Sequence, residues 1–273
     1  MKKKVVKTVC MVMLTGVMLA GCGKSAEKPA EQEVPVEAQV EESAVQAENK
    51  DQSAVDVTSV EATSEEDFVI EALDDGTVQI TKYKGTDAEV VIPDTISGKK
   101  VTVIGGFHND YLESVILPDS VIEISDEAFS ECTNLANVSL SSNLQTIGKE
   151  AFRNCSRLKN IEFPSSLVEV KEYAFWASGL TNVTMPDNVK VVESSLFIGC
   201  RTLETVILNE GIESINEKAF AGCKVLQKVY IPSTVTYIDA SAFNDVDTVT
   251  IVTTTGSYAE TYANENGIPC EIQ

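Results

Sequence analysis

The chain has 273 residues and a formal net charge of −21, with 42 acidic and 21 basic side chains. Because this charge repels a phosphate backbone, we expect no nucleic-acid partner. Hydrophobic residues make up 43% of the chain, which is long enough for one domain with a sizeable core and additional tails.

The N-terminus has the pattern of an export signal. Lysines cluster in the first seven residues and are followed by an apolar stretch over residues 9–20. That stretch is short for a membrane span and typical of a signal peptide. It ends in Leu19-Ala20-Gly21-Cys22, which resembles a bacterial lipobox. We therefore predict a lipoprotein signal peptide over residues 1–21 and a diacylglycerol on the thiol of Cys22. An ordinary secretory signal or an uncleaved anchor helix is the alternative.

Residues 22–66 are predicted to be a lipid-anchored, disordered acidic linker. Glu, Ala, Val, Ser, Gln and Pro dominate this segment, and it contains no aromatic residue. A segment with low hydrophobicity and high negative charge buries too little apolar surface to offset the loss of chain entropy on folding. The segment would act as a tether on the outer face of a bacterial cell membrane.

A β cap is predicted after the linker. Residues 68–73 and 78–81 flank Asp74-Asp75-Gly76, and Asp-Gly tolerates the positive φ of a tight hairpin turn. Residues 89–92 and 101–104 are predicted to add further strands. Such a cap covers the hydrophobic end of a stack of repeats.

From Leu112 onward the sequence repeats at a step of 22 or 23 residues. The leucine position and the phenylalanine position recur as Leu112, Leu135, Leu158, Leu180, Leu203 and Leu226, and as Phe129, Phe152, Phe175, Phe197, Phe220 and Phe243. The consensus of the repeats is Leu-x-x-Val-x-Leu, often followed by Pro, then Val-x-x-Ile, then Ala-Phe-x-x-Cys. A constant period of this size is typical of a solenoid, in which each coil buries its apolar side against its neighbours.

The Val-x-Leu pair predicts a short strand in each repeat, with Val115 and Leu117 pointing inward in the first. The residue before the Val and the residue between the Val and the Leu point outward, and across the repeats they stack into two rows. These rows are the candidate binding face: Ser114, Asn137, Asn160, Asn182, Thr205 and Lys228 in one, and Ile116, Ser139, Glu162, Thr184, Ile207 and Tyr230 in the other. The alternative is a solvated sheet face stabilised by ladders of Asn, Ser and Thr.

The C-terminus predicts a second cap. Ser257 can cap a helix over residues 258–266 that ends at Gly267, and residues 269–272 are predicted to form a last short strand.

The repeat pattern resembles BspA-like leucine-rich repeats of bacterial surface proteins, over residues 68–273. The resemblance implies a mainly β solenoid of about six 22–23-residue coils, with a β-hairpin N-cap and a helix-plus-strand C-cap, over residues 67–273. It also implies adhesion or binding of host or bacterial proteins, without naming a ligand.

Four cysteines occupy the same position of different repeats: Cys132, Cys155, Cys200 and Cys223. A ladder of buried thiols explains this spacing, because free cysteine is among the most buried residue types. Disulfides joining Cys132 to Cys155 and Cys200 to Cys223 remain an alternative, and zinc is a third. The spacing lacks a Cys-x-x-Cys pair, so we predict no metal site.

No catalytic residue or cofactor is predicted. His108 is the only histidine, and it lies in a turn without a recognisable nucleophile motif beside it. Trp176, the only tryptophan, follows Phe175 on an outer turn, where it is either a shielded edge or a contact point.

The sequence therefore predicts a monomeric, membrane-anchored extracytoplasmic module that binds an extracellular or envelope protein. The alternative is a structural envelope lipoprotein that scaffolds neighbouring surface proteins. A hydrolase is the third interpretation, and no residue is nominated for it.

Overall fold

The computed structural model describes residues 61–273, which lie in the compact unit Val55–Gln273. The predicted signal peptide, Cys22 and most of the predicted linker lie outside the described residues. The strands are β1 (Phe68–Ala72), β2 (Val78–Tyr83), β3 (Glu89–Val91), β4 (Thr95–Ile96), β5 (Lys99–Ile104), β6 (Ser114–Ile116), β7 (Glu123–Ile124), β8 (Asn137–Ser139), β9 (Thr146–Ile147), β10 (Glu169–Val170), β11 (Asn182–Met185), β12 (Val191–Val192), β13 (Thr205–Leu208), β14 (Ser214–Ile215), β15 (Lys228–Tyr230), β16 (Tyr237–Ile238), β17 (Thr250–Thr253) and β18 (Cys270–Ile272). A helix, α1, spans Tyr258–Asn266.

The predicted N-terminal hairpin is present. Strands β1 and β2 pair antiparallel, and Asp75 accepts hydrogen bonds from the backbone N–H and hydroxyl of Thr77 in the turn. A second hairpin, β4–β5, turns at Ser97-Gly98 and adds to the predicted cap. Upstream, Thr63 exchanges two hydrogen bonds with Val91, so the folded unit begins before residue 67.

The predicted Val-x-Leu strands form one wall of the solenoid, which we call the strand face. They pair parallel and in register, as β3-β6-β8 and as β11-β13-β15-β17-β18. Val115 and Leu117 are buried, as predicted. Register between coils is fixed because a slip of one residue would turn the buried side chains to the solvent.

The Val-x-x-Ile segments form a second wall. The sequence predicts only a segment that crosses the coil, but these residues pair parallel as β5-β7-β9-β10 and as β12-β14-β16. Two ladders of backbone hydrogen bonds therefore connect successive coils, and the core lies between them. The solenoid has about 8 turns when the caps are included.

The third repeat departs from the prediction, because residues 159–163 form no strand. Their backbone N–H groups donate no hydrogen bond within residues 61–273, although the carbonyl of Lys159 accepts one from the N–H of Thr181. The interruption coincides with the one repeat that is shortened by a residue, between Phe175 and Leu180. There Gly179 presses against the third coil, where an added Cβ would collide with the carbonyl oxygen of Ser156. The strand face is interrupted in the third repeat, and the second wall is interrupted between β10 of the third repeat and β12 of the fourth.

A third ladder runs through the turns that carry the phenylalanines, which we call the Phe turns. The N–H of Phe129 donates to Ala151 at 2.8 Å, and that of Phe152 to Ala174 at 2.8 Å. Residues two positions before and two positions after the phenylalanine adopt left-handed φ angles between 52° and 72°. They are Glu127, Glu150, Tyr173, Ser195 and Lys218 before it, and Glu131, Asn154, Ala177, Gly199, Gly222 and Asp245 after it.

The phenylalanines form a continuous stack along the solenoid. Neighbouring rings from Phe107 to Phe243 lie 5.0–5.7 Å apart between centroids. The stack ends on Tyr83 in the N-cap and on Tyr262 of α1. The predicted leucine positions are also fully buried, and Val249 continues them in the last repeat. A single hydrophobic interior therefore extends from cap to cap.

The C-cap agrees with the prediction. The Ser257 hydroxyl accepts from the N–H of Glu260, and Gly267 adopts φ 68° after α1. Strand β18 then pairs parallel with β17. No helix within the described residues is long and apolar enough to span a membrane.

Candidate binding surfaces

The predicted binding face divides into two patches at the third repeat. The N-terminal patch, on β6 and β8, contains Ser114, Ile116, Asn137 and Ser139. The C-terminal patch, on β11, β13 and β15, contains Asn182, Thr184, Thr205, Ile207, Lys228 and Tyr230. Within each patch the side chains stand in register on neighbouring strands, so they form a surface of regularly spaced groups.

Asn160 and Glu162 are exposed, but they do not lie on a strand. The predicted strand is therefore absent in the third repeat, and each of the two predicted rows of six residues is interrupted at one of these positions. The interruption lies beside the shortened turn after Phe175, and it is confined to residues 159–163, because the third coil still pairs with the second through β10 and β9. Phe163, which occupies an inward position, is only partly buried here and packs edge-on against Phe175 with centroids 5.8 Å apart.

The C-terminal patch combines apolar and polar groups. Ile207 lies opposite Tyr230, and Thr205 opposite Lys228. The Ile207 side chain is 39% exposed, whereas Tyr230 is half-buried. The Lys228 ammonium donates to Glu271 at 2.7 Å, and this hydrogen bond raises the pKa of Lys228. Such a surface can form hydrogen bonds and can bury an isoleucine and a tyrosine in a partner interface.

The four repeat cysteines are buried and free, so the predicted ladder of thiols is confirmed and the alternative disulfides are not formed. Each thiol donates to the carbonyl of the phenylalanine in the preceding coil: Cys132 to Phe107, Cys155 to Phe129, Cys200 to Phe175 and Cys223 to Phe197. Burial raises the pKa of the thiols, to about 11 for Cys132 and Cys200.

The residues singled out for chemistry do not assemble into a reaction centre in the described part of the chain. His108 is exposed, and its Nδ1 lies 3.4 Å from the carbonyl of Ser130. No group of three His, Cys, Asp or Glu side chains within residues 61–273 has the spacing to hold a metal ion.

Trp176 is a partly exposed ring on the Phe turns rather than a shielded edge. It is 36% exposed, the guanidinium of Arg153 lies 5.4 Å from its ring centroid, and Tyr173 lies 5.8 Å from it. Beside it, a groove of 490 Å³ crosses the turns that contain Gly199 and Gly222. This groove was not predicted from the sequence, although glycine at the same position of two successive repeats indicates an open surface there.

These observations define a leucine-rich repeat solenoid. The family model described as "BspA type Leucine rich repeat region" matches residues 103–224 in six copies. Residues 103–224 are therefore leucine-rich repeats of BspA type. No match is found among the curated proteins.

Three solved structures are similar to this chain. The leucine-rich repeat protein of T. pallidum, TpLRR, is 27% identical with a TM-score of 0.61, over 77% of this chain and 98% of that one. A leucine-rich cell surface protein from Faecalibacterium prausnitzii is 32% identical with a TM-score of 0.60, over 71% of this chain. A leucine-rich repeat protein from Bacteroides ovatus has 23% identity and a TM-score of 0.61 over 70% of this chain, and it shows the fold alone. The match spans 55% of each of the last two proteins.

Proposed function

We propose that this protein is a lipid-anchored binding module on the outer face of a bacterial membrane, and that the C-terminal patch of its strand face docks a protein partner. The observation that carries the proposal is the pairing of exposed Ile207 with Tyr230 among hydrogen-bonding side chains on a rigid, two-walled support. The description of the F. prausnitzii relative as a cell surface protein supports the location.

The C-terminal patch suits a protein partner better than the N-terminal patch does. Binding energy in protein interfaces concentrates in a few aromatic, arginine and large apolar side chains surrounded by polar contacts. The C-terminal patch offers half-buried Tyr230 and exposed Ile207 on adjacent strands, whereas the only large apolar side chain of the N-terminal patch is half-buried Ile116. Regular strand spacing of about 4.8 Å fixes the backbone under these groups and so lowers the cost of ordering on binding.

A capture experiment with three single arginine variants tests the proposal. Ile207→Arg changes the C-terminal patch, Asn137→Arg changes the N-terminal patch, and Gln145→Arg changes the exposed surface beside β9 on the other wall. We expect the unchanged chain, Asn137→Arg and Gln145→Arg to retain one specific protein, and Ile207→Arg to lose it while its thermal unfolding is unchanged. Retention by all three variants would reject the C-terminal patch as the docking site.

The source of the retained protein distinguishes a module that binds an external ligand from a structural envelope lipoprotein. A module that binds an external ligand retains a protein from outside the producing cell. A structural envelope lipoprotein retains proteins of the cell's own envelope instead, and crosslinking on intact cells identifies which of the two is present.

A further inference from the structure

The groove on the Phe turns has features that the strand face lacks. It is lined by Gly199 and Gly222, which we call its floor, and by Arg201, Lys224 and Asp245, which we call its rim. It lies on the turn surface of the fourth and fifth repeats, outside both patches of the strand face. Its volume of 490 Å³ is within the range of small-ligand sites, about 300–1,000 Å³.

The backbone conformation does not require glycine at the floor of this groove. Gly199 and Gly222 have φ angles of 70° and 72°, but Asn154, Ala177 and Asp245 adopt left-handed φ at the same position of other repeats. A Cβ on Gly222 would make only ordinary contacts, the nearest at 3.7 Å. The two glycines therefore leave the floor open, and a ligand can approach the backbone closely there.

Two cations on the rim lack a carboxylate partner. Arg201 and Lys224 occupy the same position of successive coils, so their backbones lie about 5 Å apart. Within residues 61–273 neither forms an ion pair, and the Lys224 ammonium donates only to the backbone carbonyl of Asp245, at 2.9 Å. Two adjacent positive charges repel each other, and an anionic ligand placed between them would relieve this repulsion.

Trp176 lies next to the groove. Its Cδ1 is 3.9 Å from where a Cβ of Gly199 would be, and Arg153 and Tyr173 also contact the indole ring. A partly exposed indole beside polar groups presents an apolar surface to a flat ring and a donor to a hydroxyl. The carboxylate of Asp245 can accept hydrogen bonds from hydroxyl groups. An ionised glutamate side chain has no hydroxyl to donate to Asp245, because a carboxylate only accepts hydrogen bonds.

We propose that this groove binds an acidic oligosaccharide. Sugar carboxylates pair with Arg201 and Lys224, a sugar ring packs beside Trp176, and sugar hydroxyls donate to Asp245. The groove is separate from the C-terminal patch of the strand face. The proposal of sugar binding and the proposal of protein docking can therefore be tested independently.

Fluorescence titration of the full chain in detergent tests the proposal, because Trp176 is the only tryptophan. The probe is a tetramer of galacturonic acid, and its control is the same tetramer with the carboxyl groups reduced to alcohols. We expect a saturable change in emission with the acidic tetramer and about tenfold weaker binding of the reduced one, since loss of a charge-assisted hydrogen bond costs about that factor. An unchanged emission, or equal binding of both tetramers, would overturn the proposal.

Charge-reversal variants locate the binding site. Arg201→Glu combined with Lys224→Glu should abolish the fluorescence response. Arg157→Glu combined with Lys159→Glu changes the net charge equally at exposed positions outside the groove, and should leave the response unchanged. An equal loss in both double variants would show a nonspecific charge effect and reject the site.

Two further measurements test whether binding needs the open floor and whether the ligand is a sugar or a peptide. Gly222→Asn places a side chain on the floor at a φ that Asn154 tolerates in another coil, and should weaken binding about tenfold without lowering thermal stability. A tetraglutamate peptide should not compete with the acidic tetramer. If the peptide competes at equal concentration, or if the Asn variant binds normally, the assignment to an acidic oligosaccharide in this groove is wrong.

Discussion

The rings of Phe152 and Phe175 lie 5.4 Å apart and are parallel to within 3°. Both side chains are fully buried, and each also stacks on the phenylalanine of its other neighbouring coil. Stability in such an array is the sum of what each coil contributes and what each interface between coils contributes. A phenylalanine in the middle of the stack belongs to two interfaces.

Replacement of Phe152 by Ala should therefore destabilise the protein strongly. A cavity would form between Phe129 and Phe175, and buried Phe→Ala changes cost about 3–5 kcal/mol. Urea unfolding followed by circular dichroism measures the loss. Tyr111→Ala is the matched control, because Tyr111 is 66% exposed and should change the free energy of unfolding by about 0.5 kcal/mol or less. Similar losses in the two variants would contradict the stacked interior.

Much of this interior could be predicted from the sequence. The hairpin around Asp75, the helix capped by Ser257 and the buried leucine and phenylalanine positions all follow from local turn chemistry and from a constant repeat length. These features depend on residues close in sequence or on a period that every repeat shares.

The remaining features depend on how one coil meets the next. The shortened turn before Leu180 is visible in the sequence, but its effect on residues 159–163 arises from contact with a neighbouring coil. Glu127 and Tyr173 adopt left-handed φ angles, and the N–H of each donates to the next coil in the turn ladder. Neither residue is a glycine, so the sequence offers no local sign of these φ angles. The groove beside Trp176 likewise joins residues from separate repeats.

The third repeat gives a second prediction. The N–H groups of residues 159–163 should exchange with solvent faster than those of β8 and β11, because no acceptor within the described residues protects them. Insertion of one Asn after Ala177 restores the length of the other repeats and should slow this exchange. Hydrogen–deuterium exchange with mass spectrometry measures both. Slow exchange in the unchanged chain would contradict the interruption.

The buried thiols should be unreactive in the folded protein. Burial raises the pKa of Cys132 and Cys200 to about 11, so little thiolate exists at pH 8. Cys270 is partly exposed and should react first with an alkylating reagent. In guanidinium chloride all of these cysteines should react. Rapid labelling of Cys132 under native conditions would show that the ladder is open to solvent.

Membrane attachment through Cys22 is testable with an internal control. In the producing bacterium, Cys22→Ser should abolish labelling by a clickable fatty acid and leave the signal peptide uncleaved. Cys10→Ser lies within the predicted signal peptide and should change neither result. Continued lipid labelling of the Cys22→Ser variant would refute the predicted anchor.

Site-specific photocrosslinking on living cells tests the proposed function most directly, because it captures a partner whose identity is still open. A photoreactive phenylalanine analogue is placed at Ile207 in the C-terminal patch, or at Gln145 on the other wall as the control. We expect a discrete crosslinked protein from position 207 and none from position 145. Adducts from position 145 alone, or identical adducts from both positions, would contradict the assignment of the strand face as the docking surface.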